Sequence, residues 1–471
     1  MFVGREDELH ALECLFASKC FEMAVVYGRR RIGKTALLAE FAHDKRTLFF
    51  TAQQKSNVLN LRAFSRAIGD FLGTQELGTF ESWLDALTYL ARQCATLGEP
   101  SVIVFDELPY AAQADPSLPS ALQIAIDHDF KETRSLLVLC GSNEGFMESE
   151  VLGEKSPLYG RRTAQIHLQP FDYLDAALLM PPSASCDELV AYYAALGGTP
   201  YYLEQIDHEL SFGENVSRLF FDLSGILYAE PLMLLRQELR EPASYVSVLD
   251  AVASGATSPK VIAEHAGMEE RAVSVYLGTL CDLGIIQRAL PFGASKLRSR
   301  KGIYRIRDPF FAFWYRFVSP TAGLVESGAG HLAARQALGG QSLSTYVGHQ
   351  FETICLQWLM RQNRNETLPF LALSFGSWWG TDPQAHERAD IDIIAANKPS
   401  RNLLVGECKW RESFDESATL ATLERRAQAL KEFDRTFYAL FSKRAPSEGT
   451  RAEARSRDDL LLVSCDELYA R

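Results

Sequence analysis

Three observations predict an α/β chain built in three parts. A short apolar strand runs into a glycine-rich loop that opens a helix near the amino terminus. A helical stretch punctuated by turns and ending in a hairpin pattern fills the middle, and acid-bearing strands sit among helices in the last third. The expected architecture is a parallel sheet with a helical lid over residues 1–235, a helix-turn-helix with a wing over 236–308, and a connector with a smaller α/β domain over 309–471.

The bulk composition fits this division. The chain has 471 residues, 47% hydrophobic and 23% charged, which is ordinary globular usage and a length for roughly three domains. No apolar run approaches the ~20 residues that span a bilayer, and the first residues (M-F-V-G-R-E-D) carry acids where a signal peptide is apolar, so a cytoplasmic location without membrane contact is expected. With 48 Lys and Arg against 60 Asp and Glu, the formal charge of -12 leaves no global basic field, and any nucleic-acid contact has to be local. The nine cysteines (14, 20, 94, 140, 186, 281, 355, 408, 465) form no C-x-x-C pair, which predicts reduced thiols with structural roles.

Phe21 to Tyr27 reads as a buried strand, followed at once by G-R-R-R-I-G-K-T (Gly28 to Thr35) and helix-forming A-L-L-A-E-F. This is G-x-x-x-x-G-K-[ST] in the strand-loop-helix setting that the motif requires. Gly28 and Gly33 permit turns that aim backbone N–H groups at phosphate oxygens, with the positive helix end behind them. Lys34 is expected to reach the β/γ-phosphates of ATP and the Thr35 hydroxyl to sit on Mg²⁺. Arg29 to Arg31 stay open between phosphate neighbours and a solvated run.

A second strand (Thr47 to Ala52) precedes a helical region, and S-V-I-V-F-D-E-L-P-Y then supplies an apolar strand ending in two acids. At the carboxyl end of a strand beside the phosphate loop, Asp106 can hold Mg²⁺ through water and Glu107 can polarise the attacking water. The strand L-L-V-L-C-G-S-N ends in Ser142 and Asn143, either of which can sense a γ-phosphate. Arg161 and Arg162 are candidates to neutralise charge there, in cis or across a subunit contact that leaves homo-oligomerisation open; the alternative is an ordinary surface pair.

F-V-G-R-E-D-E-L (residues 2 to 9), the phosphate loop, D-E-L-P-Y, G-S-N, P-L-Y-G-R-R-T, Q-P-F and G-G-T-P-Y-Y-L (Gly197 to Leu203) together resemble the archaeal-type ATPase family, grouped with the origin-recognition and STAND branches of AAA+-like P-loop NTPases. The resemblance covers about 230 residues. It implies that Gly4 and Arg5 lie near the adenine and that Pro200 marks the helical lid over the nucleotide.

In the middle, Pro259 at a first helical turn and Gly267 after the helix punctuate a helix-turn-helix. Between Glu241 and Gln287 stand six acids and two bases, so base reading by the second helix is not expected. Between Arg288 and Arg307 stand seven bases (Arg288, Lys296, Arg298, Arg300, Lys301, Arg305, Arg307) and no acid, so DNA phosphate contact through the wing is open, as is a rigid spacer. The aromatic run Pro309 to Val318 reads as a packing surface between the middle and the last domain.

The last third reads helix, three strands, helix, two strands. On strands, Asp390 and Asp392 are expected to share one face with Ile391 and Ile393 on the other, and Glu407 and Lys409 to share a face with Cys408 pointing to the core. Neighbouring strands let Asp392 and Glu407 chelate a hard divalent cation, Mg²⁺ or Mn²⁺, with Lys409 near the reacting phosphate and Glu352 extending the ligand set from the helix. This D…E-x-K arrangement is the PD-(D/E)xK nuclease pattern. With G-x-x-F-E, S-W-W and G-E-C-K-W it resembles the domain of unknown function that follows archaeal-type ATPases. The implied protein is an ATPase coupled to a metal-dependent DNA nuclease-like domain; the alternative is an ATP-dependent switch or DNA-binding regulator whose nuclease-like domain cuts nothing.

Overall fold

The computed structural model describes residues 2–74, 77–239, 241–294, 302–382 and 386–470. The chain divides into two compact units, Met1–Pro170 and Phe171–Arg471.

The first unit is a five-stranded sheet of β1 (Glu22–Tyr27), β2 (Thr47–Thr51), β3 (Ser101–Asp106), β4 (Ser135–Gly141) and β5 (Ala164–His167), ordered β2-β3-β4-β1-β5 with every pair parallel. Parallel neighbours need crossovers, and the helices that make them cover both faces, so β3 and β4 are buried along their whole length. Side-chain alternation divides the core accordingly. Met23, Val25 and Tyr27 pack with Phe50, Phe64, Trp83 and Phe105 on one face, and Ala24 and Val26 pack with Leu37, Leu38 and Phe41 on the other. All five strands run the same way, so their carboxyl ends gather on one edge.

The second unit opens with short helices, among them Cys186–Leu196 and Pro200–Leu203. Next come three helices (Pro242–Ala253, Pro259–Ala266, Glu270–Asp282) and an antiparallel pair, β6 (Ile286–Ala289) and β7 (Ile303–Ile306). The expected punctuation is present: the Ser258 hydroxyl caps the second helix, Pro259 takes its first position and Gly267 ends it at φ +66°. Phe310, Phe311 and Phe313 are fully buried, with Phe310 against Tyr202 (ring centroids 4.3 Å) and Phe313 against Tyr346 (5.9 Å), so the aromatic run is a packing surface. The chain after β6 is anchored as well: the Phe292 amide donates to Ser377 O (2.8 Å) on the strand Ser374–Thr381.

The last sheet joins β8 (Ser374–Thr381), β9 (Arg388–Asn397), β10 (Asn402–Lys409), β11 (Arg435–Ser442) and β12 (Leu460–Ser464) in the order β12-β11-β10-β9-β8. It is antiparallel from β8 to β10 and parallel from β10 to β12. The long helix Gln341–Arg364 packs through Phe351, Ile354 and Cys355 on the face of Ile393, Ala395 and Leu404. The helix Glu416–Ala427 packs through Leu423 and Ala427 on the face of Ile391, Ile394 and Val405.

Two expectations are corrected. Ile391 and Ile393 do not share a face: a register shift between β8 and β9, where Gly376 pairs with Ile394 and Trp378 with Ile391, inserts an extra β9 residue and breaks the alternation. The cysteines are not all reduced core thiols. Cys186 and Cys465, 279 residues apart with Cα atoms 6.0 Å apart, form a disulfide, while Cys14 and Cys20 are exposed. Among the described residues, no helix is long and apolar enough to cross a membrane.

Candidate functional site

The glycine-rich loop leaves β1 at Gly28, whose φ of +148° and close approach to Leu168 O, 2.6 Å from where a Cβ would stand, exclude a side chain. Gly33 (φ +90°) turns the chain into the helix Lys34–Ala42. Lys34 is buried, and its ammonium donates to the loop carbonyls of Gly28 (2.8 Å) and Arg29 (3.1 Å), curling over the cradle that the loop forms. The Thr35 hydroxyl donates to Asp106 Oδ2 (3.0 Å) at the carboxyl end of β3. Two hard oxygens from separate motifs thus meet, a donor pair of the kind suited to Mg²⁺.

Glu107 stands in the left-handed region (φ +52°), and its Oε2 accepts from the Ser142 hydroxyl (2.9 Å) at the end of β4. The pair ties the water-polarising candidate to the strand end that would sense a γ-phosphate. Asn143 is engaged elsewhere, since its side-chain oxygen accepts from the Phe146 amide (2.9 Å) and caps the next helix. Arg5, buried and at φ +69°, donates to Ile32 O (3.1 Å) inside the phosphate loop and to Gln169 O (2.7 Å), so it braces the loop; Gly4 before it has φ +66°. Pro200 occupies the first turn of its short helix in the second unit.

The arginines separate by geometry. Arg161 makes three donations to Asp127 (2.5–3.2 Å) and two to the carbonyls of Pro157 and Tyr159. With Lys131 it holds the Asp127 carboxyl down at about 2. These bonds clamp Arg161 to the helix Leu118–His128. Arg162 donates to Leu152 O (3.3 Å). Arg29 is buried, so the arginine run of the loop is not a solvated one, and Arg30 hydrogen-bonds Tyr110 after the Asp106-Glu107 turn.

In the second unit, Asp392 Oδ2 accepts from the Cys408 amide (2.8 Å), and Lys409 Nζ stands 2.5 Å from Glu407 Oε1. Cys408 packs toward the long helix, as alternation predicts, so Glu407 faces the other way, while Lys409 at the strand end borders the long helix. Burial, with Glu407 and then Glu352 close by, pushes the Asp392 carboxyl up to about 8. His349 lies 3.3 Å from Glu352, which raises its pKa. Among the described residues, no three His, Cys, Asp or Glu side chains sit close enough to hold a metal ion. Glu352, on the long helix, adds to the repulsion at Asp392.

Three residues near these acids were not anticipated. Arg426 reaches from the helix Glu416–Ala427 to Asp390 O (2.9 Å) and lies 3.8 Å from Glu407 Oε2. Desolvation lowers the pKa of Arg305 on β7, and the nearby Glu352 carboxylate opposes that shift. His349 was readable, because three residues before Glu352 places it on the same helix face; Arg426 carried no local signal. Of the proposed basic wing, Arg305 and Arg307 are exposed, Arg288 stands on β6, and Lys296, Arg298, Arg300 and Lys301 lie outside the described residues.

Known proteins share parts of this geometry. Residues 2–206 match a family described as an ATPase domain predominantly from Archaea, and residues 314–421 match one described as archaeal and bacterial proteins of unknown function. An uncharacterized protein of Methanocaldococcus jannaschii is 30% identical over 471 residues, spanning 99% of this chain and 100% of that protein. An uncharacterized ATP-binding protein of the same organism is 41% identical over 46 residues, 10% of this chain and 78% of that one. A Walker-type ATPase of Pyrococcus abyssi superposes with a TM-score of 0.52 at 21% identity, covering 67% of this chain and 96% of that chain, and so shares the fold. With an archaeal-type P-loop ATPase domain at its amino-terminal end, the chain belongs to the family of the full-length Methanocaldococcus jannaschii relative.

Proposed function

We propose that the protein binds and hydrolyses ATP and couples this to a metal-dependent DNA endonuclease-like domain in its second unit. The nucleotide half rests on the loop from Gly28 to Thr35 and its hydrogen bond to Asp106. In this reading the loop amides and Lys34 bind the phosphates, Thr35 and Asp106 take Mg²⁺, and Glu107, released from Ser142, orients the attacking water. Gly4 and Arg5 border the adenine, Pro200 belongs to the lid, and of the two arginines Arg162, with fewer bonds than Arg161, is the better suited to γ-phosphate charge.

The observation that carries the nuclease half is the partly buried constellation of Asp392, Glu407 and Lys409 on neighbouring strands. Two carboxylates that share one region of low dielectric repel each other, which suits a hard divalent cation, Mg²⁺ or Mn²⁺. Such a cation supplies charge for the scissile phosphate and lowers the pKa of a bound water. Asp392 and Glu407 would hold it, and Lys409 would place its ammonium against the negative charge that develops on phosphorus. The three helices and the β6-β7 pair form a winged helix in this account, with Arg288, Arg305 and Arg307 on DNA phosphates.

A second reading, an ATP-dependent switch or DNA-binding regulator with an inactive nuclease-like domain, is favoured by one observation: among the described residues, no three His, Cys, Asp or Glu side chains gather as a metal site. Cleavage of single-stranded, duplex and branched DNA in Mg²⁺ or Mn²⁺, with and without ATP, separates the two. Cutting by wild type that is lost in Lys409→Ala supports the nuclease, and the effect of Lys34→Ala gives the sign of the coupling. Absence of cutting under every condition leaves the switch.

A further inference from the structure

Beside the second acidic site, the long helix Gln341–Arg364 and the end of β10 enclose a cavity of about 480 Å³. Its lining divides by chemistry. Gln341, Ser344 and Thr345, on the first two helical turns, are exposed and uncharged, with hydrogen-bonding side chains. Lys409 and Arg411 bring two cations from the strand end, and Trp410 between them supplies a flat apolar wall.

The wall is fixed in place. Phe351 packs against the Trp410 ring (centroids 5.0 Å), and the Lys443 ammonium lies 5.1 Å from its centroid. Arg411 has no ion-pair partner among the described residues. His349, Glu352 and Cys408 also line the cavity, and the Cys408 amide donates to Asp392, so the cavity borders the acids.

A flat apolar wall, hydrogen-bonding side chains opposite it and two cations at one end match one nucleotide: the base has an apolar face and a polar edge, and the phosphate is an anion. The volume falls within the ~300–1,000 Å³ of sites that enclose a single small ligand. A base within a duplex has its edge paired and its faces stacked, so it reaches such a cavity only when unpaired.

Resting on the nuclease reading, we propose that this cavity seats the nucleotide adjacent to the scissile phosphate and selects unpaired DNA. Thr345→Trp and Ser344→Trp fill the cavity from exposed helix positions, away from the acids.

The test measures binding of a short fluorescent single strand, and of its duplex, to the full chain in Ca²⁺, with Mn²⁺ affinity measured on the same proteins. Wild type is expected to prefer the single strand, and each substitution to weaken that binding roughly tenfold or more, the order expected for one lost base contact, with Mn²⁺ affinity unchanged. Two variants guard against a fault specific to one. Equal affinity for single strand and duplex, or single-strand binding untouched by both substitutions, overturns the proposal even if the protein cuts DNA. Cavity-dependent single-strand binding in a protein that neither binds Mn²⁺ nor cuts supports the cavity assignment while refuting the nuclease reading.

Discussion

Asp106 ends β3 and Asp392 lies midway along β9, and each belongs to an acid pair, yet their surroundings differ. Asp106 receives the Thr35 hydroxyl and the Glu107 amide, and Glu107 is held apart by Ser142. Asp392 receives one backbone amide and faces two carboxylates, which with burial push it up to about 8. Hydrogen bonds satisfy the first site before any ligand arrives, whereas the second holds a repulsion that a proton or a cation relieves. The first is therefore expected to be rigid without metal, and the second to respond to pH and divalent ions.

The strongest loss should come at the first site. Lys34→Ala removes the cation over the cradle and lowers ATP affinity by roughly 100-fold or more, the scale of a lost charge-assisted phosphate contact in a partly buried site; titration with a fluorescent ATP analogue measures it, and unchanged affinity refutes the site. Glu107→Gln should keep ATP binding and slow hydrolysis by about 100-fold, as expected for loss of a general base; an unaltered rate of phosphate release moves that role elsewhere.

The next prediction concerns the repulsion at Asp392. Its folded pKa of about 8 lies above the unfolded carboxylate value near ~4, so the folded state retains a proton that the unfolded state has lost. Stability therefore falls as pH rises across that window, by at most about 1.4 kcal/mol per pH unit. Asp392→Asn should flatten the slope and raise the unfolding midpoint at pH 8, and Mn²⁺ should do the same for wild type. Parallel pH profiles for the two proteins would show that the carboxylates are not in conflict.

The mildest change belongs to the clamp at Arg161. Asp127 is held at about 2, below its unfolded value, so its contribution is present at neutral pH and is lost as the pH falls from ~4 toward 2. Asp127→Asn should lower the melting temperature slightly at pH 7, with the difference closing at acid pH. Arg161→Ala should leave ATP hydrolysis nearly intact. A drop of ~1,000-fold, as for an arginine acting on the γ-phosphate, would return Arg161 to the reaction.

The phosphate loop, Asp106 and Glu107 were legible because their chemistry is written contiguously and the parallel strands bring those segments to one edge. The strand and helix order of the last domain was legible for a related reason, since each element carries its own apolar pattern. What escaped depends on packing between distant segments. Nothing near Arg426 marks it as the neighbour of Glu407, and Cys186 and Cys465 are separated by most of the second unit. The extra residue in β9 is set by its pairing with β8, so the parity of Ile391 and Ile393 could not be read from β9 alone. Glu352 was legible as a helical acid from the pattern of its own helix, but its closeness to Asp392 is a tertiary fact.

Whether Asp392 and Glu407 form a divalent-cation site decides the most about the second unit. Calorimetric titration of Mn²⁺ into ATP-free protein at pH 8, comparing wild type with Asp392→Asn, addresses it without requiring a DNA substrate. Wild type should show a binding event that disappears in the variant. Identical isotherms for the two proteins would contradict the site.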